Sequence, residues 1–217
     1  MTRRTAHLGV LALGALLVLL LSPTLRGQTG KSTEPAWKPL FDGKTLANWQ
    51  STKFGGEGAV RVENGEIVME AGGDLTGITW AGEAPPTTNY EIALQAMRVE
   101  GNDFFAGVTF PVADSFCSLI FGGWGGAVVG LSSINGMDAS ENETSQSITF
   151  ESRRWYRVRI RVTPAKIEAW LDDRQIIDQA LKGNKIGTRF EVEPSQPLGI
   201  ASFRTKAAVR DIRLRRL

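Results

Sequence analysis

Tyr156-Arg157-Val158-Arg159-Ile160-Arg161-Val162 decides the fold of this chain, because apolar and basic residues alternate strictly along it. In a strand, successive side chains point to opposite faces, so Tyr156, Val158, Ile160 and Val162 share one face and the arginines the other. Downstream, Ile167, Ala169 and Leu171 continue the same pattern within residues 166–172. Upstream, Val60-Arg61-Val62-Glu63-Asn64-Gly65-Glu66-Ile67-Val68-Met69 reads as a hairpin, since Asn-Gly supplies the two positive-φ residues of a type I′ turn. A two-residue loop sets Val62 opposite Ile67 and Val60 opposite Met69, which is also the register that hydrophobicity asks for. Further strands are expected at residues 90–99, 104–110, 116–121, 127–132, 147–150, 198–204 and 209–214, separated by turn residues such as Gly101-Asn102, Pro111 and Asp172-Asp173. After the N-terminal run no window carries an apolar stripe of period 3.6. Ten or more strands in one domain of this size predict an all-β chain, two antiparallel sheets packed as a sandwich or jelly roll.

The N-terminus is of another kind. Arg3 and Arg4 precede an uncharged run from Leu8 to Leu21, and residues 1–27 read as a secretory signal that begins as a hydrophobic helix. Fourteen helical residues reach about 21 Å, short of the roughly 30 Å hydrocarbon core of a bilayer. Cleavage is therefore expected, and an uncleaved anchor is the alternative, because neither Ser22-Pro23-Thr24 nor Leu25-Arg26-Gly27 has the small-x-small pattern. Residues 28–36 form a polar linker and residues 37–217 a single domain. The expected location is periplasmic, extracellular or in the cell envelope, with membrane contact only through a retained leader. Loss of Arg3, Arg4 and Arg26 changes 25 basic against 23 acidic residues into 22 against 23. A near-neutral domain asks for no nucleic-acid partner. The single histidine, His7, lies inside the leader, so a processed chain has no imidazole for Ser-His, Cys-His or His-metal chemistry. Cys117 has no second cysteine to pair with.

Several segments, in order, resemble the 3-keto-disaccharide hydrolase domain family. Leu40-Phe41-Asp42-Gly43-Lys44-Thr45-Leu46-Ala47-Asn48-Trp49 is similar to its opening, Val62 to Ile67 to its hairpin, Asn89-Tyr90-Glu91-Ile92 and Trp155 to Ile160 to two of its strands, Ala169-Trp170-Leu171-Asp172-Asp173 to another, and Val209 to Leu214 to its close. The resemblance spans Trp37 to Leu217. It implies the concanavalin A-like lectin/glucanase sandwich and a substrate in which C3 of a sugar is a ketone. Where the family commonly reads NSGIFFR, this chain has Phe105-Ala106-Gly107-Val108-Thr109-Phe110-Pro111, and Gly199 to Arg204 lacks the histidine that family members often place there. Family catalytic residues do not carry across those gaps.

Candidate residues come instead from loop chemistry. Six tryptophans against two tyrosines suit sugar stacking, and Trp124, with two glycines on either side, is the best presented. Trp49, Trp80 and Trp170 read as packing, and Trp155 as part of a stacked, solvated arginine face. Asp138, Glu141 and Glu143 form the densest acidic cluster outside the strands. They could offer oxygen ligands to Ca²⁺, but their spacing matches no specific loop, and no cofactor or metal is expected. Asn142-Glu143-Thr144 fits a glycosylation sequon at chance level. Oxidation at C3 acidifies the C2 proton, so the mechanism needs a base, here Asp103, Glu141 or Glu143, with Trp124, Asn135, Asp138 and Arg204 positioning the sugar. Asp103 has a plainer reading as a turn residue bonded to its own backbone. The alternative function is a non-catalytic carbohydrate-binding or adhesion module on the same sandwich.

Overall fold

The computed structural model describes residues 1–2 and 35–217; the expected leader at 1–27, from residue 3 onward, and most of the linker at 28–36 lie outside the described residues. Fifteen strands follow: β1 Lys38–Pro39, β2 Trp49–Ser51, β3 Val60–Glu63, β4 Glu66–Met69, β5 Leu75–Trp80, β6 Tyr90–Glu100, β7 Ala106–Val112, β8 Ser115–Gly123, β9 Val128–Ser132, β10 Gln146–Ser147, β11 Tyr156–Val162, β12 Lys166–Leu171, β13 Arg174–Ala180, β14 Gly199–Phe203 and β15 Lys206–Arg216. One short 3-10 turn, Phe190–Ser195, precedes β14. The first sheet runs β13-β12-β11-β6-β15-β4-β3 with β1 added beside β15, and the second runs β10-β9-β8-β7-β14-β5-β2. Every pairing is antiparallel, so the two-sheet sandwich expected from alternation is the fold.

Inward residues from both sheets make one core. Ile67, Ile92, Leu94, Val158 and Ile160 come from the first sheet, and Phe105, Phe110, Leu119, Phe121 and Leu131 from the second sheet and the approach to it. Each such side chain contributes about 1.5–3 kcal/mol by leaving water. The hairpin pairs Val60 with Met69 and Val62 with Ile67, the register set by Asn64 (φ 51°) and Gly65 (φ 81°). Arg157, Arg159 and Arg161 emerge on the outer face of the first sheet, less buried than the inward residues between them. There Arg159 stacks 3.6 Å from the centroid of Trp170 and Arg210 lies 4.0 Å from that of Trp155. These rings cover the arginine stems, as a solvated face requires.

Some boundaries differ from expectation. Residues 147–150 were expected as a strand, but pairing stops at Ser147, because Phe150 turns inward and meets Phe105 and Tyr156 edge-on at 5.1 and 5.0 Å. Pro111 lies within β7 instead of ending it, beyond the point where β14 ceases to pair at Thr109. Trp49 and Trp80 are buried against each other, as packing.

Candidate functional site

The second sheet carries a cleft of about 650 Å³ on its outer face. Alternation turns Val108, Leu119, Leu131 and Ile200 inward, which leaves Thr109, Ser118, Ser132 and Gly199 outward. The register aligns these outward residues in a row across β5, β14, β7, β8 and β9: Thr79, Gly199, Thr109, Ser118, Ser132. A second row, Gly77, Ala201, Gly107, Ile120, Gly130, lies two residues along. Side chains that are small except for Ile120 thus form a trough, roughly 7 Å from row to row.

Residues 184–198 wall one end of the trough. Ser133 and Gly187 exchange backbone hydrogen bonds of 2.7 and 3.1 Å, and the Ser115 hydroxyl donates to the Ile186 carbonyl. At the far side the Thr79 hydroxyl donates to the Pro194 carbonyl at 2.9 Å. The backbone comes so close that a Cβ on Gly199 would lie 2.5 Å from the Ser195 carbonyl oxygen. From this wall Arg189, Phe190, Glu191 and Val192 line the cleft. Arg189 donates to Glu191 at 2.7 Å and to Asp138 at 3.0 Å. The hydrogen bond from Arg189 holds the Glu191 carboxyl below the ordinary glutamate value.

Loops wall the other end with Phe54, Asp74, Asp103, Phe104, Trp124 and Phe203. Trp124 sits at φ 50° in a glycine turn, and a Cβ on Gly126, at φ 115°, would come 2.8 Å from the Asn102 carbonyl oxygen. Asp103 ties this turn down: its Oδ1 accepts from the Phe104 N–H at 2.7 Å and its Oδ2 from the Gly125 N–H at 3.0 Å. Beneath the turn, the buried Arg98 guanidinium donates to the Gly126 carbonyl at 2.9 Å and stacks on Phe105. Burial lowers its pKa, and the nearby Asp103 charge opposes that effect. Arg204 is exposed and binds Asp74 at 2.7 Å.

Of the residues picked from sequence, Asp103 and Trp124 line the cleft. Asp138 and Arg204 act one step behind it, through Arg189 and Asp74. Asn135, Glu141 and Glu143 are outside the lining. Asn135 makes an Asn-Gly turn and clasps Asn184 and the Lys185 N–H, each at 2.8 Å, while Glu143 accepts from Gln179 at the edge of the first sheet. The acidic loop is therefore not a common site, because its carboxylates diverge. Among the described residues no group of three or more His, Cys, Asp or Glu could hold a metal ion. Sequence reasoning missed Arg189, Phe190, Glu191, Asp74, Ser118 and Ser132. Two of the missed features had a signal: an unpatterned Arg-Phe-Glu-Val-Glu-Pro segment between strands, and hydroxyl residues at alternate strand positions.

Trp124 (45% exposed) and Phe190 (76%) are the two aromatic side chains among the large hydrophobic residues exposed in the described chain, and both stand on this cleft. A two-layer antiparallel sandwich with a trough on one sheet face defines the class: a concanavalin A-like domain. The family follows from residues 36–215, which match the 3-keto-alpha-glucoside-1,2-lyase-like domain; the chain belongs to that family, as a hydrolase-like enzyme or binding module acting on carbohydrate. Solved structures agree on the fold. Crh5 transglycosylase in complex with NAG matches with a TM-score of 0.57 at 13% identity, over 84% of this chain and 85% of its own. A galectin-like protein of unknown function from Bacillus subtilis gives 0.56 at 9% identity, over 83% and 94%. A protein from work on the endo-acting O-glycanases of the human gut microbiota gives 0.55 at 11%, over 86% and 94%. No curated protein matches the chain by sequence.

Proposed function

We propose that the cleft binds a 3-keto-glycoside and breaks its glycosidic bond by elimination and hydration. The observation that carries this reading is the placement of Trp124 and Phe190, exposed aromatic rings suited to stack on a pyranose, at one polar-floored trough. In the first step a base removes the C2 proton, the C1–O bond breaks toward the leaving oxygen, and a C1=C2 double bond forms in conjugation with the C3 ketone. The leaving oxygen takes up the proton, and water then adds, its oxygen to C1 and a proton to C2. Three carboxylates line the walls, of which Asp74 is tied to Arg204 and Glu191 to Arg189. Asp103 has no guanidinium bonded to it; each oxygen accepts one backbone N–H and keeps a lone pair for the substrate. Asp103 is the assigned base, and Trp124 and Phe190 hold the ring. The leader supports export, so the substrate would be met at or outside the envelope.

Incubation of the full-length protein with 3-keto-trehalose tests the reading. Free glucose and 3-keto-glucose are expected from the native protein, and Asp103→Asn should lower turnover by about 10²-fold or more while binding is retained. A second reading is favoured by the commitment of every cleft carboxylate to a backbone or guanidinium donor: a binding module without turnover. Quenching of Trp124 fluorescence by 3-keto-trehalose with no sugar released would select it.

A further inference from the structure

Ser132 is 2% exposed, lines the cleft, and its hydroxyl has no hydrogen-bond partner. It ends the hydroxyl row of the trough floor, directly opposite Ser118 in the register of β8 and β9. Ser118 does not answer it, because its own hydroxyl pairs with Thr109 at 2.8 Å. Thr79, at the other end of the row, is likewise satisfied, by Thr52 and the Pro194 carbonyl. A buried hydroxyl without a partner is an exception in folded proteins; Thr88, Ser195 and Ser202 share that condition, but of these four hydroxyls Ser132 alone belongs to the cleft lining. The neighbours on its own face are the Ser118–Thr109 hydroxyl pair and, at the same end of the cleft, the wall of Arg189, Phe190, Glu191 and Val192, which offers polar groups and one exposed ring together. The aromatic rings Phe104, Phe203 and Trp124 lie toward the opposite end.

We infer that Ser132 is a specificity-determining contact: its hydroxyl binds one ring or hydroxymethyl OH of the sugar, at the Arg189 end of the cleft away from the Trp124 wall. This rests on the cleft being the sugar site. The donor and acceptor of a serine match those of a sugar hydroxyl, whereas a carboxylate-bearing sugar would meet Glu191 at this end, where Arg189 is already paired with Glu191 and Asp138, and Asp103 and Asp74 at the other. A site that hydrogen-bonds a ligand OH rejects the analogue lacking it, because its own buried group is then left unpaired.

Binding of trehalose and its 2-, 4- and 6-deoxy analogues to the full-length protein, to Ser132→Ala and to Trp124→Ala, by calorimetry, decides the matter. The native protein should bind one deoxy analogue about tenfold more weakly than trehalose. Ser132→Ala should bind trehalose about tenfold more weakly, and should no longer distinguish that analogue. Its thermal midpoint should be unchanged or raised, since no intramolecular hydrogen bond is lost, which a purely structural serine would not allow. If Ser132→Ala binds all four sugars as the native protein does while Trp124→Ala binds them weakly, the role of Ser132 is refuted and the cleft reading stands. If neither trehalose nor 3-keto-trehalose binds the native protein, or binding is insensitive to Trp124→Ala, the cleft reading fails, and the Ser132 role with it.

Discussion

Asn142 organises the whole loop between β9 and β10. Its Nδ2 donates to the carbonyls of Leu131 at 2.7 Å, Met137 at 3.2 Å and Asp138 at 2.7 Å, while its Oδ1 accepts from the N–H and hydroxyl of Thr144 at 2.9 and 2.6 Å. Thr144 then accepts from the Leu131 N–H at 2.8 Å. The sequon pattern is thus a buried fastening whose amide nitrogen is fully occupied. Asn142→Asp would aim a carboxylate oxygen at three carbonyl oxygens. It should destabilise the chain by about 2–4 kcal/mol at neutral pH, read as a lower urea midpoint. A midpoint within error of the native one would show that the loop does not depend on this amide. The same loop carries Asp138, so its loss would also remove one of the two carboxylates that hold Arg189 at the cleft wall, leaving Glu191.

Between elements, Glu91 joins β6, β11 and β15 on the outer face of the first sheet. It is fully buried and receives Arg159 at 2.9 Å, Arg161 at 2.8 Å and Arg215 at 2.7 Å. Burial raises its pKa, but the hydrogen bonds from Arg161, Arg215 and Arg159 together outweigh that and hold it below the ordinary 4.5. A carboxyl whose folded pKa is depressed stabilises the fold above its unfolded pKa, near about 4.3, and loses that contribution as pH falls through the folded value. Glu91→Gln should cost about 2 kcal/mol at pH 7, below the usual range for a broken buried pair because Arg159 and Arg161 are a third exposed. Chemical denaturation at pH 7 and pH 3 should show a smaller loss on acidification for Glu91→Gln than for the native chain. An equal loss in both would remove Glu91 from the acid response.

For the molecule as a whole, the single cysteine leaves packing between the sheets to hold the fold. Cys117 lies in that core, and burial pushes its thiol up to about 12, so it is neutral and unreactive in the folded state. Iodoacetamide at pH 8 should leave the native chain unlabelled and modify it fully in guanidinium, so that the labelling rate reports opening of the sandwich. Rapid labelling of the native chain would mean that the sheets separate locally.

Alternation is legible only where one face of a strand meets water, and this explains what sequence reading reached. Tyr156–Val162 and the hairpin at 60–69 were readable to the register, since their outer faces carry Arg and Glu. Leu75–Trp80 was missed because it is buried on both faces, its outer side lying under the turn Phe190–Ser195. Arg174–Ala180, an edge strand of the first sheet, was missed as well. At the site, the flanking glycines singled out Trp124 and the turn context singled out Asp103, both local features. The remaining walls come from residues near 54, 74, 189–194 and 203, and only the order of strands in the second sheet makes them neighbours. The chain by itself therefore determined a two-sheet β domain, its core face and its family. Tertiary structure decided which carboxylates share a cleft and which diverge, because proximity between distant segments depends on sheet order, and local spacing carries no record of that.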